Sequence, residues 1–264
     1  MLTGHSLAGR YLICLCLLIA LASTAYGQQS VALLLTQGDA AYDAFDNHTA
    51  IDFYEKALLK DSTDFETLIR MGRTNYDLGL DLIAEDNLKE AFHRFEDAII
   101  NSRALVTHYP DSAQSHFLLA ATSGNLALFK NGREKVILGR IVELHSKKAI
   151  ELDTTLSYPY VSLGIYYREL SRLSWLERTL AKVFFGRLPE ASVERALELL
   201  DTAQRLRFNF PFLHFELAMT FMSLNQNEKA LHHLETLVSL KPETTQDARN
   251  QEYAKKLIAE LKGL

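Results

Sequence analysis

The sequence predicts an all-α protein, a right-handed α-solenoid of about five antiparallel helix pairs with inserted helical extensions and a C-terminal capping helix. Two observations support this prediction. The 264 residues contain only 12 Gly and 5 Pro, and they are rich in Leu, Ala, Glu and Lys, which favour helices. Apolar and small residues also recur with a period of 34 residues, enough for two short helices and their turns.

The clearest repeat begins at Pro211. Counted from it, Leu217 and Ala218 fall at positions 7 and 8, Ala230 at position 20 and Pro242 at position 32. The small residues let two helices approach closely, and the last proline ends the second helix. This spacing resembles the tetratricopeptide pattern over its full 34-residue period.

The same pattern organises the whole chain. We predict a signal peptide at 1–27 and one domain at 28–264. Insertions of 14, 10 and 20 residues lengthen the second, third and fourth repeats. The repeats are expected at about 31–64, 65–112, 113–156, 157–210 and 211–244, followed by a terminal helix at 246–262.

The amino terminus has the layout of a secretory signal peptide. Arg10 precedes a nearly pure apolar run at 11–22, and the small residues Ala25 and Gly27 precede the predicted cleavage. We therefore expect an exported chain, periplasmic or secreted. The alternative is an N-terminal membrane anchor, for which the run is short of the roughly 20 residues that span a bilayer. Both cysteines lie in this segment, so the mature chain would form no disulfide.

The insertions carry a more specific resemblance. The stretch ELSRLSWLER at 169–178, followed by VFFGRLPEASVERAL at 183–197, is similar to a segment of the regulator of microtubule dynamics family. NGREKV at 131–136 and the tail at 241–256 are similar to the same family, here in a bacterial-type, exported form. The resemblance implies a helical repeat domain that binds partners, which in eukaryotic members include microtubules and membrane-contact machinery.

No motif in the sequence indicates catalysis. It contains no phosphate-binding G-x-x-x-x-G-K-[ST] loop, no G-x-S-x-G elbow and no H-E-x-x-H pair, so we predict no enzyme, no cofactor and no metal. His232 and His233 are adjacent and point about 100° apart on a helix, too far to share an ion by themselves. The net charge of −5 argues against nucleic acid as a partner. Asp81, Glu85 and Asp86 are expected on a solvated helix surface.

The concave side of the solenoid is the predicted binding surface. The first helix of each pair lines it through positions 2, 5, 9, 12 and 13, and most of these are apolar in the last repeats. Because exposed apolar surface costs about 25 cal/mol per Å², something should cover it: a terminal or inserted helix, a lipid chain, or an amphipathic partner helix. The candidate residues are Phe117, Tyr158, Val161, Ile165, Arg168, Phe212, Phe215, Met219 and Met222.

Two binding functions follow from this surface. The first is a non-enzymatic scaffold for a protein or peptide partner. The alternative is a carrier of a lipid or other amphiphile, with its acyl chains in the apolar groove and its headgroup near Arg168 or Arg172.

The insertion in the fourth repeat is basic and amphipathic. Residues 129–187 hold 11 Lys and Arg against 6 Asp and Glu, in a chain of net negative charge. Such a segment is typical of one attracted to an anionic membrane surface, although its apolar face could instead pack on neighbouring repeats. The residues that we single out are Arg172, Trp175, Arg178, Lys182 and Arg187.

Overall fold

A computed structural model describes residues 30–186 and 189–263, without the side chains of residues 176, 177, 180, 184 and 185. The predicted signal peptide and Arg187 lie outside the described residues. Within the described ranges the secondary structure is helical and contains no strand, which confirms the all-α prediction. In this part of the chain, no helix combines the length and the apolar character needed to cross a membrane.

The helices follow one another in antiparallel pairs. A single 3-10 turn, Ala127–Phe129, interrupts the third pair. The helices of the described ranges are α1 Val31–Asp43, α2 Asn47–Leu58, α3 Phe65–Ala84, α4 Leu88–His108, α5 Ala113–Leu126, α6 Gly132–Leu152, α7 Ser157–Ser171, α8 Trp175–Phe185, α9 Val193–Leu206, α10 Pro211–Ser223, α11 Asn227–Ser239 and α12 Thr245–Lys262.

Polar residues before the helices explain where many of them begin. Side-chain oxygens of seven residues accept a hydrogen bond from a backbone N–H in the first turn, which satisfies a group that the helix leaves without a partner. At α12 the cap is reciprocal, because Asp247 also accepts from the backbone of Thr244. The seven residues are Ser30, Asp46, Asp64, Asn87, Ser112, Ser192 and Thr244.

The insertions lengthen helices or add one. Helices α3, α4 and α6 have 20, 21 and 21 residues, whereas α1 and α2 have 13 and 12. The insertion in the fourth pair forms a helix of its own, α8, between α7 and α9.

Small residues at one position set the spacing between the helices of a pair. Position 8 of the first helix is Gly or Ala in all five pairs, namely Gly38, Gly72, Ala120, Gly164 and Ala218, and each is buried. A Cβ atom added to Gly38 would lie 2.3 Å from Cε1 of Tyr54, so α1 and α2 pack at a distance that only glycine allows there.

The core consists of several clusters of buried residues along the chain. One cluster joins the first three pairs through residues such as Ile51, Phe95 and Leu138. A second cluster joins the fourth and fifth pairs, and Val161 is part of it with 2% exposure. Val161 is therefore a core residue, and its expected exposure on the binding surface is wrong, because it packs into the cluster that α7 shares with α9 and α10.

The terminal helix α12 covers the apolar half of the concave side. Its Ala254 and Leu257 pack into a cluster with α10 and α11, and the half-buried Phe215, Met219 and Met222 lie against that cluster. Of the three covers that the sequence left open, the protein's own terminal helix is the one observed.

Helix α12 also reaches back to the second pair. Nη1 of Arg249 lies 2.7 Å from Oδ1 of Asp81 in α3, and the Thr245 hydroxyl donates to the same oxygen. Nδ2 of Asn47 in α2 donates to the other oxygen of Asp81 at 2.7 Å. The side chain of Asp81 is only 14% exposed, so its expected place on a solvated surface is wrong. Asp81 lies on α3 between Asn47 of α2 and Arg249 of α12, which enclose its carboxylate.

The spacing at position 8 generates a prediction about stability. Gly38→Ala is expected to destabilise the fold by about 1–3 kcal/mol, because the new methyl group meets a fully buried Tyr54 ring whose hydroxyl is fixed on Asp39. Gly124→Ala is the matched control: its Cβ would have its nearest neighbour at 3.7 Å, an ordinary contact, and alanine favours the helix. Urea unfolding measures both, and equal midpoints for the two variants would contradict the packing argument.

Candidate binding site on the concave side

Arginine and aromatic side chains meet at the open part of the concave side. They come from four different pairs: Tyr42 from α1, Arg73 from α3, Phe117 from α5, Tyr158 from α7 and Arg207 from the residue after α9. We call these five residues the arginine–aromatic cluster. Two of them, Phe117 and Tyr158, are residues that the sequence predicted.

Distances within the cluster are short. The guanidinium carbon of Arg73 lies 4.0 Å from the ring centre of Tyr42, and the rings of Phe117 and Tyr158 are 5.2 Å apart. Arg207 lies over the ring of Tyr158 at 5.4 Å and donates a hydrogen bond to its hydroxyl. Burial raises the pKa of Tyr158, and the positive charges of Arg207 and Arg73 oppose that rise. Tyr158 is thus within reach of both arginines.

The two arginines of the cluster differ in their partners. Arg207 forms an ion pair with Glu243. Arg73 is exposed, and no carboxylate of the described ranges forms an ion pair with it. Stacking on Tyr42 occupies one face of the guanidinium and leaves its N–H edge available to a ligand.

Behind Arg73 lies a buried carboxyl group, that of Asp77. The Tyr42 hydroxyl donates to its Oδ2 at 2.6 Å. Burial raises the pKa of Asp77 to about 7, helped by the negative charges of Asp81 and Asp247, while Tyr42 and Arg73 act in the opposite direction. Asp77 therefore changes its charge near neutral pH, one helical turn from the exposed arginine.

Arg168 is not available to a ligand. Its side chain is 8% exposed, and Nη1 lies 2.8 Å from Oε2 of Glu216 in α10 and donates to Thr220 at 3.0 Å. Burial raises the pKa of Glu216, and the charge of Arg168 opposes it. The prediction of Arg168 as a binding residue and as a headgroup contact is wrong, because α10 packs against α7 and encloses this ion pair.

The remaining predicted residues of the concave side are half-buried. Phe215, Met219 and Met222 lie beside α12, and the Phe215 ring is 6.3 Å from that of Tyr253. Ile165 and Phe212 pack against the core of the last two pairs. These five apolar residues therefore serve mainly the packing of the carboxyl-terminal half.

The sequence prediction missed three members of the cluster. Tyr42 and Arg73 occupy positions 12 and 9 of their helices, which are concave positions, so the same rule applied to the first two repeats would have found them. Arg207 lies after a second helix, and the repeat pattern contains no signal for it.

The basic residues of the insertion in the fourth repeat differ in their roles: some hold the structure together and others are exposed. Arg178 donates to the backbone carbonyls of Leu170, Ser171 and Leu173, so it caps the end of α7. Arg172 lies 3.1 Å from Glu169. Trp175 is 78% exposed and Lys182 is exposed.

Two contacts between histidine side chains connect the two helices of a helix pair, one in the third pair and one in the fifth. Nδ1 of His116 lies 2.7 Å from Nδ1 of His145, and Nδ1 of His214 lies 3.0 Å from Nδ1 of His233. Nε2 of His116 and of His214 each lies 2.8 Å from a backbone carbonyl oxygen, which only accepts, so these Nε2 atoms donate. The second histidine of each pair therefore donates its Nδ1 proton to the first. In the described ranges, no group of three or more His, Cys, Asp or Glu side chains could hold a metal ion.

The buried histidines generate a pH prediction. Burial lowers the pKa of His233 to about 4, with smaller contributions from His214 and His232. Between pH 4 and 6.5 the unfolded chain therefore binds more protons at this histidine than the folded chain does. As the pH falls through that range, the free energy of unfolding decreases by up to about 3 kcal/mol on account of His233. We expect His233→Gln to flatten the pH dependence of the urea midpoint there, and the exposed control His48→Gln to leave it unchanged. If the urea midpoint of His233→Gln varied with pH as steeply as that of the wild type, His233 would not be the source of this pH dependence.

Comparison with known proteins places the chain in a family. It is 27% identical over 177 residues to regulator of microtubule dynamics protein 2 of Bos taurus, covering 67% of this chain and 43% of the relative. It is 23% identical over 246 residues to regulator of microtubule dynamics protein 1 of Mus musculus, covering 92% of this chain and 79% of the relative. The chain thus spans less than half the length of the first relative.

A solved structure and a family model complete the comparison. A thermophilic TPR protein from Thermus thermophilus superimposes with a TM-score of 0.64 at 19% identity, over 86% of this chain and 100% of that one, and it shows the same tetratricopeptide-type fold. The family model of regulator of microtubule dynamics protein 1-3 matches residues 34–262, nearly all of the described chain. The chain therefore belongs to the regulator of microtubule dynamics protein 1-3 family.

Proposed function

We propose that this protein is a non-enzymatic scaffold that binds an acidic peptide segment of a partner protein at the arginine–aromatic cluster. The observation that carries the proposal is the exposed guanidinium of Arg73, which is stacked on Tyr42 and has no carboxylate partner in the described ranges. The tetratricopeptide-type fold and the family membership support a scaffold over an enzyme.

The chemistry of the cluster suits a carboxylate next to an apolar or aromatic side chain. A stacked guanidinium presents its N–H groups in a fixed fork that matches a carboxylate. Phe117 and Tyr158 supply half-buried aromatic surface beside it, and arginine and tyrosine are among the residues that dominate binding energy at interfaces. The Asp77 carboxylate competes for the same guanidinium when it is ionised.

Binding measurements with a set of peptides test this proposal directly. Acidic, neutral and basic peptides of equal length are titrated against the full chain by fluorescence polarisation. We expect acidic peptides to bind, and Arg73→Glu to weaken that binding at least tenfold, since it reverses the charge that faces the carboxylate. Asp77→Asn should strengthen binding at pH 8, because it removes the competing charge.

The control variant is Arg103→Glu, which makes the same charge change at an exposed position of α4, a second helix. It should leave the affinity unchanged. Equal binding by the wild type and Arg73→Glu would contradict the proposal, and so would peptide measurements that show no preference for acidic peptides.

The carrier alternative would require the structure to open. The apolar side chains of the last pair lie against the cluster around α12, so an acyl chain would have to displace that helix. Native mass spectrometry of protein purified from cells distinguishes the two functions: co-purified lipid masses would favour the carrier, and a clean mass would favour the scaffold.

The proposed location is outside the cytoplasm, supported by the apolar leader at 11–22. The intact mass of protein recovered from its own cells checks this, because cleavage removes about 27 residues at the predicted site. A full-length mass would favour the N-terminal anchor instead.

A further inference from the structure

We propose that Arg207 is a second carboxylate-binding subsite of the arginine–aromatic cluster, and that the chain's own Glu243 occupies it until a partner segment with two acidic side chains displaces it. This inference rests on the proposed function, because it names the class of peptide that the same site binds. It adds a second point of recognition to Arg73 and assigns an inhibitory contact to Glu243.

The two arginines of the cluster are presented in the same way. The guanidinium carbon of Arg73 lies 4.0 Å from the ring centre of Tyr42. That of Arg207 lies 5.4 Å from the ring centre of Tyr158 and 4.8 Å from that of Phe210. A guanidinium held against aromatic rings keeps its N–H groups in a fixed fork, and this geometry binds a carboxylate. Each arginine is therefore a carboxylate-binding unit.

The position of Arg207 does not depend on Glu243. The ring centres of Tyr158 and Phe210 are 4.7 Å apart and their planes meet at 71°, so the two rings form a corner that receives the guanidinium. Nη1 of Arg207 donates to the Tyr158 hydroxyl, whereas Nη2 donates to Glu243. Because different N–H groups contact Tyr158 and Glu243, loss of the carboxylate leaves the other contacts of the guanidinium in place.

Glu243 shows which chemical group this subsite takes. Its Oε1 accepts the hydrogen bond from Nη2 of Arg207, across 36 positions of sequence. Both side chains are in contact with water, since that of Arg207 is 33% exposed and that of Glu243 is 39% exposed. An ion pair in contact with water contributes little to stability, so a carboxylate of a partner can replace the carboxylate of Glu243.

Displacement of Glu243 requires a rotation of its side chain and no unfolding. Glu243 lies just before α12, and its backbone N–H donates to Oδ2 of Asp247 at 3.0 Å. The backbone N–H of Thr244 donates to the same oxygen at 3.1 Å. These two bonds fix the start of α12 without the Glu243 carboxylate, so the helix keeps its position when the carboxylate leaves Arg207.

Tyr158 is close to both subsites. Its hydroxyl accepts from Arg207, and although burial raises the pKa of Tyr158, the positive charges of Arg207 and Arg73 both oppose that rise. Because a charge acts on a neighbouring pKa in this way at short range, one peptide segment can reach both arginines. The Phe117 ring, 5.2 Å from that of Tyr158, offers an apolar contact to the residues between the two acidic side chains.

Peptides with no, one or two glutamates test this inference on the full chain by fluorescence polarisation. They have equal length and blocked termini, so that the side chains carry the only carboxylates, and the two glutamates are placed at several spacings. We expect a two-glutamate peptide of suitable spacing to bind the wild type more tightly than the one-glutamate peptide. Glu243→Gln should strengthen binding of that two-glutamate peptide about fivefold, because the competing carboxylate is gone. Binding of the one-glutamate peptide should rise at most about twofold, since a single carboxylate contacts one arginine at a time.

Two further variants control for charge. Glu198→Gln makes the same charge change and frees Arg195, an exposed arginine of α9, and it should leave the preference for two glutamates as it is in the wild type. The double variant Arg207→Gln and Glu243→Gln removes the subsite together with its occupant and keeps the net charge of the wild type. It should lower the affinity for the two-glutamate peptide to that for the one-glutamate peptide.

The outcomes distinguish this inference from the proposed function. If the one-glutamate peptide binds but a second glutamate adds no affinity at any spacing, in the wild type or in Glu243→Gln, the second subsite is refuted and the peptide site at Arg73 stands. The inference also fails if Glu243→Gln and Glu198→Gln change binding alike, or if the double variant keeps the preference for two glutamates. If no acidic peptide binds the wild type or any variant, the inference and the proposed function are both refuted.

Discussion

The carboxylate of Asp81 joins parts of the chain that are far apart in sequence. It accepts hydrogen bonds from Asn47 in α2 and from Thr245 and Arg249 in α12, so it ties the second pair to the terminal helix. A solenoid whose repeats contact only their neighbours has no such link. Loss of Asp81 would remove the ion-pair partner of Arg249 and the acceptor of Asn47 and Thr245, so the link between α12 and the second pair depends on this one carboxylate.

This closure divides the concave side into two halves of different chemistry. Helix α12 lies near Phe215, Met219 and Met222, so the apolar half becomes core. The other half keeps polar and aromatic side chains, and Arg73 retains an open guanidinium edge. The position of α12 thus favours recognition by charge and stacking over recognition by an apolar groove.

The sequence predicted the helices well because the 34-residue pattern encodes contacts between adjacent helices. Position 8 is small in all five helix pairs, because the two helices of a pair approach each other there, and that requirement is local. The 34-residue pattern does not predict contacts between helices that are distant in the sequence. Arg168 meets Glu216 only because α7 and α10 approach each other, and Asp81 meets Arg249 across 168 positions. No periodic pattern contains that information, so both were assigned to the surface.

The arginine–aromatic cluster and the inserted helix α8 differ in their relation to the repeat pattern. The cluster uses first helices and the residue after α9, whereas α8 is an addition between the two helices of the fourth pair. A repeat that loses its insertion would keep the packing of α7 on α9, since Gly164 contacts Leu200 without α8. Helix α8 nevertheless packs on this repeat, because Arg178 donates to three carbonyls at the end of α7 and Ala181 is buried. The repeat pattern thus accounts for the packing of the helix pair, whereas the place of the insertion depends on side-chain contacts that the pattern does not encode.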